Sequence, residues 1–217
     1  EANQARVSFA GRRVLVADDS AVNREVALEA LSRLDVTCAS VVDGRQAVEA
    51  ALGGAFDLVL MDGSMPELDG YEASREIRAR EDGRRTPIIA LTAHVVGSAA
   101  DLWRESGMDG VLHKPFTLAA LAETLGRFME PTVVAAPPPS AAPARAAESD
   151  LLDAAVQTEL AAMAQAGRGD FVERVRGLYR DNAPEAVDAI FSACDANDWE
   201  AGAKAAHALK SMSLNIG

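Results

Sequence analysis

Five times in its first 130 residues the chain alternates a short apolar run with a segment of helical periodicity, and nothing else narrows its possible folds so far. The runs occupy 13–17, 37–41, 58–61, 88–91 and 111–113, and the helical segments 22–34, 45–52, 71–80, 98–106 and 118–129. Five strand–helix units in a row predict a doubly wound α/β fold with a flavodoxin-like (βα)5 parallel sheet. Residues 1–11 then form an N-terminal linker and 12–129 the α/β domain. The stretch 130–149, "EPTVVAAPPPSAAPARAAES", holds five of the nine prolines and no core-building period, so it is expected to be a linker.

Past the linker the sequence carries no strand signal. Helical patterns cover 150–166 and 171–180, a third helix takes Pro184 in its first turn, and a fourth begins near Trp199 after a break at 195–198. Gly167 to Asp170 is expected to be a turn in which Asp170 caps the next helix, which makes the embedded "RGD" a capping turn rather than an adhesion motif. Residues 150–217 are thus expected to be a partial, all-α four-helix bundle that stops inside its fourth helix.

Charge and composition exclude several functions. The 33 acidic residues against 21 basic ones give a net charge of −12, which opposes direct contact with nucleic acid or anionic membranes. Cys38 and Cys194 form no paired motif, so neither a zinc site nor a disulfide framework is expected, and a cytoplasmic setting fits. No apolar run reaches the ~18 residues of a membrane span, and no signal-peptide pattern is present. A chain that starts at Glu1 is expected to be part of something longer.

The chemistry gathers at the strand ends, where ligands bind in an open α/β sheet. Asp18 and Asp19 follow the first strand, and Asp62 follows "FDLVLM". With a flavodoxin-like strand order the first and third strands are neighbours and three carboxylates share one crevice. A single aspartate there most often caps a helix, but three at two adjacent strand ends repel one another and call for an oxygen-ligated divalent cation such as Mg²⁺. Thr92 ends "IIALT" and Lys114 ends "VLHK". A hydroxyl and an ammonium beside those acids suit an anionic group held on the cation, and a phosphoryl group is the natural candidate.

On these residues, 12–129 resembles a two-component response-regulator receiver domain. The resemblance rests on Asp18-Asp19, on Asp62 within "LVLMDGSMPELDGYEA", on Thr92 within "PIIALTA" and on Lys114 within "HKPF". It implies that Asp62 is the nucleophile that accepts phosphate, and that Asp18, Asp19, Asp62 and the backbone carbonyl of Ser64 hold Mg²⁺. Lys114 would neutralise a phosphate oxygen, Thr92 would report the arrival of the phosphoryl group, and the Lys114–Pro115 bond would be cis. Val111 stands where such receivers often carry a switching aromatic, so no ring-swing mechanism is implied. His94 and His113 lie near the site, His113 as an ordinary strand-end side chain.

The last stretch, "AAHALKSMSLNIG", offers a second chemistry. A helical wheel sets Trp199, Gly202, Ala206, Leu209, Ser213 and Ile216 toward a core, with His207 opposite among Ala203, Lys210, Ser211 and Leu214. A histidine ringed by small side chains on a solvent face suggests docking. The segment resembles a histidine phosphotransfer domain, whose pattern is close to H-x-L-K-G-x-S with a later glycine. His207, Leu209, Lys210, Ser213 and Gly217 match, and Ser211 replaces the usual glycine. The resemblance implies that His207 carries phosphate as a phosphoramidate, assisted by Lys210.

Receiver and phosphotransfer segments in one chain resemble part of a hybrid sensor histidine kinase from a bacterial two-component system. The implied partners are a histidine kinase dimerisation and phosphoacceptor domain, in the same parent or a separate protein, and a phosphotransfer domain or downstream response regulator. The segment itself would be cytoplasmic and free of membrane contact, although its parent could be membrane-anchored. No ATP-binding kinase domain lies in these residues. Two other classes remain open: a contact-only regulatory receiver, and a haloacid dehalogenase-type phosphatase, which needs a D-x-D that Asp18-Asp19-Ser20 does not supply.

Overall fold

The computed structural model describes residues 6–54, 56–92, 99–134 and 154–214. The chain divides into two compact units, one built on a sheet and one helical.

In the first unit, β1 (Arg6–Ser8) leads into β2 (Arg13–Ala17), α1 (Ala21–Ser32), β3 (Thr37–Val41), α2 (Gly44–Leu52) and β4 (Leu58–Asp62). It continues through α3 (Gly70–Arg80), β5 (Ile88–Thr92), α4 (Ala99–Glu105), β6 (Gly110–His113), α5 (Leu118–Phe128) and β7 (Thr132–Val134). Five strands form one parallel sheet in the order β3-β2-β4-β5-β6, the flavodoxin-like order expected from the sequence.

Side chains alternate between the two faces of this sheet, and helices cover both. Val14, Val16, Leu58, Leu60, Ile89 and Leu91 point to one face, where Ala27 and Leu31 of α1 and Leu121 and Leu125 of α5 bury them. Leu15, Ala17, Val59, Met61, Ile88 and Ala90 point to the other, under Ala47 and Val48 of α2 and Ala73 and Ile77 of α3. The helices start where short polar side chains cap their free amides: Asp43 accepts from Gln46, Asp69 from Glu72 and Thr117 from Ala120.

The proline-rich stretch begins differently from the expectation. Thr132–Val134, within the expected linker, pairs antiparallel with Arg6–Ser8, within the expected N-terminal linker. "TVV" and "RVS" are β-branched and short, and as a two-stranded pair they lack the sheet's longer apolar pattern. Residues 135–149 of that linker, with His94, Ile216 and Gly217, lie outside the described residues.

The helical unit holds α6 (Ala154–Met163), a π-helical stretch (Ala164–Arg168), α7 (Gly169–Asp195) and α8 (Trp199–Ser213). Three expectations are corrected here. Asp170 lies inside the first turn of α7 rather than capping it, because the chain stays helical through Ala164–Arg168. Pro184 does not open a new helix; α7 runs through it for 27 residues. A proline inside a helix costs about 3 kcal/mol, yet Leu178 and Tyr179 before it and Ala186 after it pack on one cluster with Phe171, Val175 and Leu209. That shared packing carries the helix across. On α8, Trp199 is 71% exposed and Ala206 is exposed, whereas Met212 is buried beside half-buried Leu209. The buried face is therefore turned toward Met212, whose long side chain reaches the cluster. Among the described residues no helix is long and apolar enough to cross a membrane.

Candidate functional site

The register of the central strands fixes the site. Ala17 pairs with Met61 across β2 and β4, so Asp18 and Asp62, each the next residue, stand side by side at the carboxyl edge. Asp62 pairs with Leu91 and Thr92 with His113, which sets the Thr92 hydroxyl and Lys114 at the same edge; the Lys114 amide donates to the Thr92 carbonyl at 2.7 Å. The Lys114–Pro115 peptide is cis, as anticipated.

The charges are buried together. Asp18 is 1% exposed, Asp62 3% and Lys114 9%, whereas Asp19 faces solvent. The Lys114 ammonium donates to Asp18 at 2.6 Å and lies 3.1 Å from Asp62. Burial pushes the Asp62 carboxyl up to about 7; Lys114 opposes this shift, and the charges of Asp18 and Asp19 reinforce it. Burial alone would lower the Lys114 ammonium, but Asp18 and Asp62 hold it above the ordinary lysine value.

One ammonium among three carboxylates leaves the crevice short of positive charge. Carboxylate oxygens of Asp18, Asp19 and Asp62 all lie within 4.8 Å of one another. An all-oxygen donor set with one member open to solvent fits a hard divalent cation that retains water ligands. Ser64, two residues past Asp62, stands half-buried in the loop that leads to α3.

Glycine permits this loop to fold so tightly over the acid. A β-carbon on Gly70 would fall 1.9 Å from the Asp62 carbonyl oxygen, so only glycine lets the first turn of α3 close on Asp62. The Gly70 amide donates to the Gly63 carbonyl at 3.2 Å, and the ring of Tyr71 lies against Gly63. Burial, then the charges of Asp62 and Asp69, raise the Tyr71 phenol above its ordinary value. Gly63, Gly70 and Tyr71 were absent from the sequence-based site, although "LDGYEA" contained the signal: a glycine at a helix start, eight residues after a strand-end acid.

Arg78 was also missed. Its guanidinium donates to the carbonyls of Thr86 and Gly107 at 2.9 and 2.8 Å and to Glu81 and Asp109 at 2.8 and 2.6 Å. Asp109 in turn accepts from the Ile88 amide at 2.8 Å, so the network pins the start of β5, the strand that ends in Thr92.

Other expected residues fall as follows. His113 is an exposed strand-end side chain. Val111 packs against the Leu15–Met61 face of the core, with no ring in its place to swing. In the helical unit His207 and Lys210 stand one turn apart on α8, Lys210 exposed and His207 half-buried rather than open, while Ser211 is buried. The Ser213 hydroxyl donates to the Leu209 carbonyl at 2.8 Å and lies 3.2 Å from the Tyr179 hydroxyl.

Residues 14–126, which include all five strand-end residues, match the family model of the response regulator receiver domain. The Sensory/regulatory protein RpfC of Xanthomonas campestris pv. campestris is 30% identical over 216 residues, 98% of this chain and 29% of that protein. The Sensor histidine kinase RcsC of Salmonella typhi is 37% identical over 117 residues, 54% of this chain and 12% of that protein. The chain thus spans under a third of either relative. Among solved structures, the receiver domain of sensor histidine kinase PA1611 from Pseudomonas aeruginosa PAO1 has a magnesium ion coordinated in its active site cleft. It is 44% identical, with a TM-score of 0.52 over 55% of this chain and 98% of that one.

Proposed function

The chain belongs to the response regulator receiver domain family, and on that premise we propose that it is the phosphorelay segment of a hybrid sensor histidine kinase. In this reading residues 12–129 are the receiver, 130–149 the tether and 150–217 a histidine phosphotransfer module. The segment works in the cytoplasm, fed by the phosphoacceptor domain of a histidine kinase. The observation that carries the reading is the buried triad of Asp18, Asp62 and Lys114 at the carboxyl ends of β2, β4 and β6, with Asp19 at its mouth.

Asp62 attacks the phosphorus of a phosphohistidine through one carboxylate oxygen. The new O–P bond forms as the P–N bond breaks, and the departing imidazole keeps the electron pair and takes up a proton. Asp18, Asp19, Asp62 and the Ser64 carbonyl would hold Mg²⁺. When bound, the ion neutralises the carboxylates and the charge on the phosphoryl oxygens. Lys114 supplies a further positive charge to those oxygens, and Thr92 offers its hydroxyl to one of them and reports occupancy. In the helical unit His207 exchanges the group with Asp62 or with a partner's aspartate, and Lys210, one turn on, offsets its charge.

Intact mass after incubation with Mg²⁺ and acetyl phosphate tests this. The expected result is a gain of one phosphoryl group in wild type, absent in Asp62→Asn; no gain in a folded, Mg²⁺-binding protein would turn the assignment toward a contact-only module.

A further inference from the structure

Tyr71 has no place in the chemistry above, yet it lies beside the acceptor. A β-carbon built on Gly63 would stand 2.7 Å from the Tyr71 hydroxyl oxygen, 2.8 Å from Cζ and 2.9 Å from Cε2. The phenol therefore occupies the volume that any side chain following Asp62 would need. The ring is half-buried, and the core cluster of Met61, Met65 and Ala73 backs it. Its backbone is fixed as well: Tyr71 is the second residue of α3, whose first residue, Gly70, closes on the Asp62 carbonyl.

We propose that Tyr71 is a positioning residue whose ring, laid over Gly63, forms one wall of the phosphoryl pocket and sets the lifetime of the acyl phosphate on Asp62. The inference rests on Asp62 being the acceptor. Loss of the group is hydrolysis: a water oxygen bonds to phosphorus, the Asp62 oxygen–phosphorus bond breaks, Asp62 leaves as a carboxylate, and the water's protons pass to phosphate and solvent. A rigid ring beside Gly63 removes one direction from which that water can approach. A flexible side chain on residue 63 would not do the same, because it would carry its own rotamer freedom into the pocket.

The test measures decay of pre-formed acyl phosphate by intact mass, after excess acetyl phosphate is removed, in wild type, Tyr71→Phe, Tyr71→Leu and Tyr71→Ala, with thermal melts on each. A wild-type protein that acquires no phosphoryl group overturns the acceptor assignment itself. Where it does, the expected result is decay about tenfold faster in Tyr71→Ala, intermediate in Tyr71→Leu and within about twofold of wild type in Tyr71→Phe. Rescue by phenylalanine separates a wall from a general loss of stability, which would not be repaired in the decay rate alone. Decay in Tyr71→Leu and Tyr71→Ala equal to wild type overturns the inference, and so does Tyr71→Phe as fast as Tyr71→Ala. A second arm uses Gly63→Ala: the β-methyl is expected to lower the melting temperature in the wild-type background and to be tolerated with Tyr71→Ala, and equal effects in both backgrounds count against the contact.

Discussion

The Lys114 ammonium donates to the Asp18 carboxylate at 2.6 Å with both groups buried, and it lies 3.1 Å from Asp62. The lysine therefore competes with any cation for the same negative charge, while in the proposed chemistry it also meets the phosphoryl group. Those two roles have opposite signs on replacement. Lys114→Ala is expected to bind Mg²⁺ about tenfold more tightly, since a nearby positive charge has been removed, and to accept phosphate more than about tenfold more slowly. Calorimetric Mg²⁺ titration and intact-mass phosphorylation read the two separately; Mg²⁺ affinity that falls with the phosphorylation rate would show that the lysine only props up the fold.

The same burial sets a pH dependence. In the folded, cation-free protein Asp62 titrates at about 7, above the ordinary 3.8. Between about pH 4 and pH 7 the folded state thus keeps a proton that the unfolded chain has released, and stability falls as pH rises through that window. The limiting slope for one proton is about 1.4 kcal/mol per pH unit, levelling off above pH 7. Urea unfolding in EDTA at several pH values, wild type against Asp62→Asn, isolates this contribution. The difference between the two is expected to shrink from acid toward neutral pH in favour of Asp62→Asn, and parallel profiles would falsify the raised carboxyl.

How much of this was open to the sequence depends on the range of each interaction. Strand limits and strand order came through because β2, β4 and β5 are buried on both faces and so appear as unbroken apolar runs. The acids, Thr92 and Lys114 followed at once, since a strand's last residue marks the carboxyl edge. Arg78 did not, because its partners Thr86, Gly107 and Asp109 are loop groups brought to it only by the fold. Tyr71 was hidden for a related reason: an aromatic in the first turn of a helix looks like core, and only the closeness of Gly63 sets it against the acid. Pro184 misled because local propensity was weighed without the packing of α7 on α8.

Arg78 offers a stability prediction distinct from chemistry. Its side chain is only 12% exposed and balances Glu81 and Asp109 while bonding two loop carbonyls. Arg78→Ala would leave Glu81 with only the Thr86 amide and Asp109 with only the exposed Arg85 and the Ile88 amide, and loss of one member of a buried pair costs about 3 kcal/mol. Arg78→Lys keeps the charge but not the fork that reaches four acceptors, so most of the loss is expected to persist. Urea denaturation measures it, and a loss under about 1 kcal/mol would mean the network is solvated in solution.

The tether between the two modules yields the last prediction. A tether of 20 residues holds its ends within roughly 25 Å root-mean-square, and the pairing of Thr132–Val134 with Arg6–Ser8 shortens the stretch available here. Tethering at that range sets an effective concentration on the order of 1 mM. If Asp62 and His207 exchange phosphate within one chain, wild type at about 10 µM should load His207 roughly 100-fold faster than a mixture of Asp62→Asn and His207→Gln chains. Dilution supplies the control: the rate in the mixture should fall with concentration, while the wild-type rate should not. Equal rates, or a wild-type rate that falls on dilution, would place His207 downstream of an aspartate on another molecule and leave Asp62 to serve a different histidine.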